Sequence, residues 1–204
     1  MRRLLLVGAA YSVQVISAMA ADMAPLDKGP LVEAFSWTGA YVGADIGGAW
    51  SRLQANGLGG GNASSVIGGI YAGYNWQLAP GWLIGFEGDA TWADLPIPAG
   101  SGDVNWMASL RGRIGWNPAA TTMLYFTGGA AWSIVNIPGV DTLPATQTKT
   151  GWVIGGGVEW APWAGNWLIR AEYLNYHFAG ILFGAGEGSD LAIDEVRAGI
   201  AYKF

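Results

Sequence analysis

Residues 104 to 116 read Val104-Asn105-Trp106-Met107-Ala108-Ser109-Leu110-Arg111-Gly112-Arg113-Ile114-Gly115-Trp116. A β-strand turns successive side chains to opposite faces. On such a strand Val104, Trp106, Ala108, Leu110, Gly112, Ile114 and Trp116 share one face, which carries no charge. The other face holds Asn105, Met107, Ser109, Arg111, Arg113 and Gly115, with both arginines. Residues 82 to 92 repeat the split: Trp82, Ile84, Phe86, Gly88, Ala90 and Trp92 stand opposite Glu87, Asp89 and Thr91.

Working outward, the same alternation marks strands at about 38–50, 66–78, 82–93, 104–116, 122–135, 150–160, 167–178 and 191–204. Each is longer than the five or six residues usual in a globular strand, and suits a tilted bilayer crossing that needs about 9 to 11 residues in hydrocarbon. Short proline-bearing connections, at 79–81, 117–120 and 161–165, alternate with long ones at 51–65, 94–103, 136–149 and 179–190. An all-β, eight-stranded antiparallel up-and-down transmembrane β-barrel follows, with short turns on the periplasmic side and long loops outside. No later window is apolar and uninterrupted enough for a transmembrane helix.

The tryptophans support a bilayer. Trp82 and Trp92, and Trp106 and Trp116, stand ten residues apart on one face. At about 3.3 Å per residue and a tilt near 40°, ten residues rise about 25 Å, the height of the apolar band. Trp50, Trp76, Trp82, Trp92, Trp106, Trp116, Trp132, Trp152, Trp160 and Trp167 are expected to form two aromatic girdles. A soluble sandwich could also bury tryptophans, but it would need more charge for its exteriors than the 12% this chain carries.

With the charge-free face toward lipid, Asp45, Glu87, Asp89, Arg111, Arg113, Glu159, Arg170, Glu172, Glu195, Arg197 and Lys203 fall inside. The reverse orientation would put each midplane arginine into hydrocarbon at about 2–4 kcal/mol. Eight strands enclose a space that side chains can fill. The near balance of acids and bases therefore predicts a polar plug of mutual ion pairs, Glu87 and Asp89 meeting Arg111 and Arg113 across one ladder. A narrow charged lumen that admits ions or small solutes is the alternative.

Composition bounds the rest. The 204 residues include 33 Gly and 12 Trp, no Cys and one His, with net charge −5. Glycine on that scale disfavours a helical bundle. The lack of cysteine excludes disulfides and thiolate sites, and no basic cluster offers itself to nucleic acid. Met1-Arg2-Arg3, the apolar run Leu4 to Ile16, and Ala18-Met19-Ala20 read as a signal peptide over 1–20, followed by a loose leader over 21–36.

No catalytic, cofactor or metal site is expected. His177 is the only imidazole, and the nearest serine, Ser189, lies across a loop. Glu87 with Asp89 has the spacing of an acid–base pair, but with two arginines adjacent it reads as salt bridging. Gly59-Gly60-Gly61-Asn62 lacks the Lys-Ser or Lys-Thr of a phosphate loop, and Gly184, Gly186 and Gly188 do not make a dinucleotide fingerprint. Gly155-Gly156-Gly157 makes room beside large aromatics or allows curvature. The loop acids Asp94, Asp103, Asp141, Glu187 and Asp190 could share divalent cations with lipopolysaccharide phosphates, or be merely solvated.

Phe35-Ser36-Trp37-Thr38-Gly39-Ala40-Tyr41-Val42-Gly43, Gly69-Ile70-Tyr71-Ala72-Gly73-Tyr74-Asn75-Trp76, Arg170-Ala171-Glu172-Tyr173-Leu174 and Val196-Arg197-Ala198-Gly199-Ile200-Ala201-Tyr202-Lys203-Phe204 resemble the small outer-membrane β-barrel proteins of alphaproteobacteria. These are often labelled porin-like or outer-membrane immunogenic proteins. The resemblance spans the mature chain and implies an eight-stranded barrel of the OmpA transmembrane-domain architecture, with roles in envelope integrity, surface exposure and attachment, and no catalysis. It carries no expectation of a peptidoglycan-binding domain after Phe204. Ile200, Tyr202 and Phe204 look like the C-terminal signal read by the barrel-assembly machinery. Expected partners are that machinery, outer-membrane lipid and lipopolysaccharide, the barrel itself being a monomer.

Overall fold

The computed structural model describes residues 35–54, 62–79, 81–97, 102–136, 146–162, 165–182 and 188–204. The signal peptide, the leader as far as residue 34, the glycines at 59–61, Asp141, Gly184, Gly186 and Glu187 lie outside the described residues. Eight strands follow in order: β1 (Gly39–Gln54), β2 (Asn62–Ala79), β3 (Trp82–Pro96), β4 (Asp103–Ala119), β5 (Thr122–Asn136), β6 (Thr146–Trp160), β7 (Trp167–Leu182) and β8 (Gly188–Lys203). Each pairs antiparallel with the next, and β8 pairs with β1, from Tyr41↔Lys203 to Gln54↔Asp190. The barrel is closed, as its alternation predicts.

The strands mostly match the expected segments, but most outrun them at the loop end, β1 to Gln54, β2 from Asn62, β6 from Thr146 and β7 to Leu182. The apolar face marks only the part in hydrocarbon. Above it the ladder continues through polar residues, since backbone pairing does not require an oily face. Asp94, Asp103 and Asp190, expected in loops, therefore lie in β3, β4 and β8. At the other end Gly81 holds a positive φ of 88° in the tight turn from β2 to β3, a conformation that glycine adopts without steric cost.

One alternation slips. The pairing of β4 with β5 shifts between Val104 and Trp106, and that of β3 with β4 between Trp92 and Leu95. A bulge of this kind makes neighbouring residues share a face. Asn105 and Trp106 both point outward, while Val104, expected on the outer face, is fully buried in the lumen.

Inside, bulk is matched strand against strand. Tyr41 lies opposite Gly73 and Tyr71 opposite Gly43. Tyr125 lies opposite Gly157, Arg113 opposite Gly85, Arg111 opposite Gly129 and Arg197 opposite Gly47. A Cβ on Gly157 would come within 2.6 Å of the Tyr125 hydroxyl and of the Ala171 carbonyl. At these positions the narrow barrel seats a large inward side chain against a neighbour that has none.

Candidate functional site

The lumen is layered. On the loop side an apolar cluster fills the bore, among it Ile67, Leu95, Met107, Val153, Tyr176, Phe178 and Ile193. On the turn side a second cluster comprises Trp37, Tyr41, Tyr71, Leu83, Met123, Tyr125, Ala161, Leu168 and Ala201. Between them lies the ionic layer. The interior is thus not polar throughout, whereas the charge count predicted a polar plug. Where both strand faces are apolar, alternation of charge gives no mark of which one looks inward.

The ionic layer contains four arginines and six carboxylates. Glu87 on β3 receives Arg170 of β7 at 2.6 Å and Arg113 of β4 at 3.3 Å on one oxygen, and Arg111 on the other. The Tyr41 hydroxyl donates to the same carboxylate at 2.8 Å. Arg111 also reaches Asp89 at 3.1 Å and Glu172 at 3.2 Å. Arg113 reaches Glu159 at 2.9 Å, and Arg197 reaches Glu172 at 2.9 Å and Asp89 at 3.4 Å. Asp45 stands 3.7 Å from Arg197 and Glu195 3.8 Å from it, without hydrogen bonds to their carboxylates. Arg111, Arg113, Arg170 and Arg197 are each 4% exposed or less. Stacking adds to the cohesion: the Arg170 guanidinium lies 3.4 Å from the Tyr71 ring centre and that of Arg113 4.0 Å from Tyr125.

Lys203 has the inward parity expected of it but stands at the wrong height. Its ammonium sits at the turn-side mouth, 5.7 Å from the Phe35 ring centre and 3.5 Å from the Phe204 carbonyl, apart from the ion pairs. The same mouth holds the end of the segment expected as a leader. Phe35 packs edge-on against Trp37 with ring centres 5.0 Å apart. Trp37 is 1% exposed and donates its indole N–H to the Ala120 carbonyl at 3.1 Å. Phe35 and Trp37 therefore pack at the turn-side mouth of the barrel.

All ten tryptophans expected at the girdles point outward. Trp50, Trp92, Trp106, Trp132 and Trp152 stand toward the loop end, and Trp76, Trp82, Trp116, Trp160 and Trp167 toward the turn end. Ile200 and Tyr202 face outward on β8 and Phe204 is exposed just beyond its end, Tyr202 lying edge-on to Trp167.

The outer face is not free of charge, against expectation. Asp194 on β8 points outward and is paired with Arg52 of β1. It also accepts hydrogen bonds from the Tyr173 hydroxyl and from the Asn175 amide at 2.8 Å. The adjacency of Asp194 and Glu195 holds the signal, because on a regular stretch of strand two neighbours face opposite sides. His177 lies on the outer face too, stacked on Trp152 with ring centres 4.3 Å apart. It pairs with Ala192, while Ser189 pairs with Ile181, so the register does not set a His–Ser dyad side by side. Among the described residues no group of His, Cys, Asp or Glu is arranged to hold a metal ion.

Residues 9–204 match the family model described as outer membrane protein beta-barrel domain. The 31 kDa outer-membrane immunogenic proteins of Brucella melitensis biotype 1 and Brucella suis biovar 1 are each 31% identical over 226 residues, covering 92% of this chain and 94% of theirs. Among solved structures, Neisserial surface protein A is similar with a TM-score of 0.56 and 21% identity, covering 82% of this chain and 98% of that one. Ail, the attachment invasion locus protein of Yersinia pestis, is similar with a TM-score of 0.52 and 19% identity, covering 82% and 99%.

Proposed function

From the premise that this chain belongs to the outer membrane protein beta-barrel domain family, and so resides in the outer membrane, we propose that it works as a non-conducting, non-enzymatic barrel. In this reading it stiffens the envelope and presents its loop end to the surroundings. The observation that carries the reading is the ionic layer held between two apolar clusters in the bore. A wide aqueous channel takes about 16 strands, whereas here ion pairs cross from wall to wall between two apolar clusters. Ions would meet greasy layers on both sides of a network whose rupture costs several kcal/mol per pair.

The turn end supports a periplasmic placement, with Trp37 as its stopper, and the loop end an external one. Outer-membrane lipid and lipopolysaccharide are the neighbours proposed for the apolar wall. The barrel-assembly machinery is the proposed reader of Ile200, Tyr202 and Phe204 during insertion, and the finished barrel is proposed to be a monomer.

Reconstitution of the full chain in planar bilayers tests the proposal. A flat baseline at both polarities is expected. Steady, reproducible single-channel steps would overturn the closed-lumen reading in favour of a narrow charged porin.

A further inference from the structure

We infer that the outer wall carries a binding site for a phosphorylated glycolipid headgroup of the outer leaflet, built on Arg52 and Asp194. The inference deepens the surface role proposed above and rests on reading the loop end as external.

The cross-strand register assembles the site. Trp152, His177, Ala192 and Arg52 form one row across β6, β7, β8 and β1. Directly below, Ile154, Asn175, Asp194 and Trp50 form the next. Both rows face out of the barrel. Elsewhere at this level the wall presents Trp92, Trp106 and Trp132 on β3, β4 and β5, half-exposed and apolar. Among the described residues the perimeter thus carries tryptophans over β3, β4 and β5 and a charged polar notch over β7, β8 and β1. A charged group at membrane depth is costly and marks a functional site by default.

The notch has the chemistry of a phosphate on a sugar. Asp194 is 8% exposed, and its carboxylate is taken up by Arg52, Tyr173 and Asn175. It serves as the buried post that fixes those three side chains. Arg52 spends one terminal nitrogen on it and keeps its side chain 57% exposed. Guanidinium offers five N–H donors in a planar fork, so an outward edge remains for bidentate phosphate. Among the described residues Arg52 is the one arginine on the outward face, the others being in the lumen. Asn175 and His177 flank the fork with polar groups suited to sugar hydroxyls, and the Trp50 ring beside them is 46% exposed. The level also fits: the site lies with the outer girdle, where headgroup meets acyl chain.

The test uses the full barrel in phosphatidylcholine nanodiscs, probed with diphosphoryl lipid A, with the same lipid A stripped of phosphate, and with inorganic phosphate. Native mass spectrometry counts bound molecules, and the Asn175 side-chain amide reports the site by nitrogen-15 NMR. One diphosphoryl lipid A per barrel is expected, with a shift at Asn175. Arg52→Gln and Asp194→Asn should each cut affinity by about tenfold, equal to about 1.4 kcal/mol, while Trp132→Phe on the opposite wall changes nothing. Dephosphorylated lipid A should bind weakly, and inorganic phosphate should not displace the lipid. Arg52→Lys, which keeps the charge and loses the fork, should fall between and guards against a variant that fails to fold.

Unchanged binding by folded Arg52→Gln would overturn the site. So would equal binding of dephosphorylated lipid, displacement by phosphate alone, or a two-barrel particle that Arg52→Gln dissolves. Conductance in the same membranes is read separately: a conducting barrel that still binds lipid A would sink the closed-lumen proposal and spare this one.

Discussion

Arg170 and Glu87 meet at 2.6 Å although β7 and β3 lie four strands apart in either direction around the wall. In a ring of eight, those strands face each other across the diameter. The contact therefore gauges the bore: two side chains suffice to bridge it. Glu87 holds three arginines at this crossing, which makes it the post on which the ionic layer hangs.

Glu87→Gln should consequently cost far more than a surface substitution. It leaves Arg111, Arg113 and Arg170 crowded around a neutral group in a site sealed from water. Breaking a buried pair in this way destabilises by about 3–5 kcal/mol. Urea titration of folding into lipid bilayers, followed by the cold-gel mobility of the unboiled barrel, measures it. A loss below about 1 kcal/mol would mean that the layer is better hydrated than its burial implies.

The stopper predicts a separation of stability from conductance. Trp37→Ala removes a fully buried indole and its hydrogen bond to Ala120, a change that costs about 3–5 kcal/mol in a packed core. The ionic layer and the loop-side cluster remain, so planar-bilayer traces should stay flat. Channels opened by this one substitution would locate the seal at the turn-side mouth and not in the middle.

The pairing of bulk against glycine is open to a smaller intervention. Gly157→Ala puts a methyl group against the Tyr125 hydroxyl and the Ala171 carbonyl, both 2.6 Å away. Overpacking of that size costs about 1–3 kcal/mol. Gly112 is the control, since a Cβ there meets only the Gly128 carbonyl, at 4.0 Å. Gly112→Ala should leave the urea midpoint nearly unmoved, and equal losses at both sites would refute the steric account.

What the sequence disclosed follows from what period two can encode. It separates Leu110 from Arg111 and so gives the wall, the strand count and the inward charges. It does not report height along the barrel, which is why Lys203 has the right face and the wrong layer. A bulge is a cross-strand event, so Val104 reads as lipid-facing until its partners on β5 are known. The inner apolar clusters are silent for a further reason: Ile67 and Ile193 look alike on either face. Arg52 and Asp194, 142 positions apart, meet only because β1 and β8 close the ring. Trp37 lies just ahead of the first strand, where alternation has not begun.

The assignment of faces allows a last, opposed pair of substitutions. Leu110 and Arg111 are neighbours on β4, one 56% exposed to lipid and the other 1% exposed in the lumen. Leu110→Arg places an unpartnered guanidinium on the hydrocarbon side near the middle of the strand, which costs about 2–4 kcal/mol at the midplane and less near the interfaces. Arg111→Leu instead leaves Glu87, Asp89 and Glu172 short of a shared cation in the interior, again a loss of several kcal/mol. Salt tests whether water reaches the interior, because ionic strength screens only charges that solvent can reach. If the lumen is closed as proposed, neither deficit should relax between low and high salt. Folding titrations of both variants at two salt concentrations measure this. A deficit in Arg111→Leu that salt removes would mean that water enters the bore.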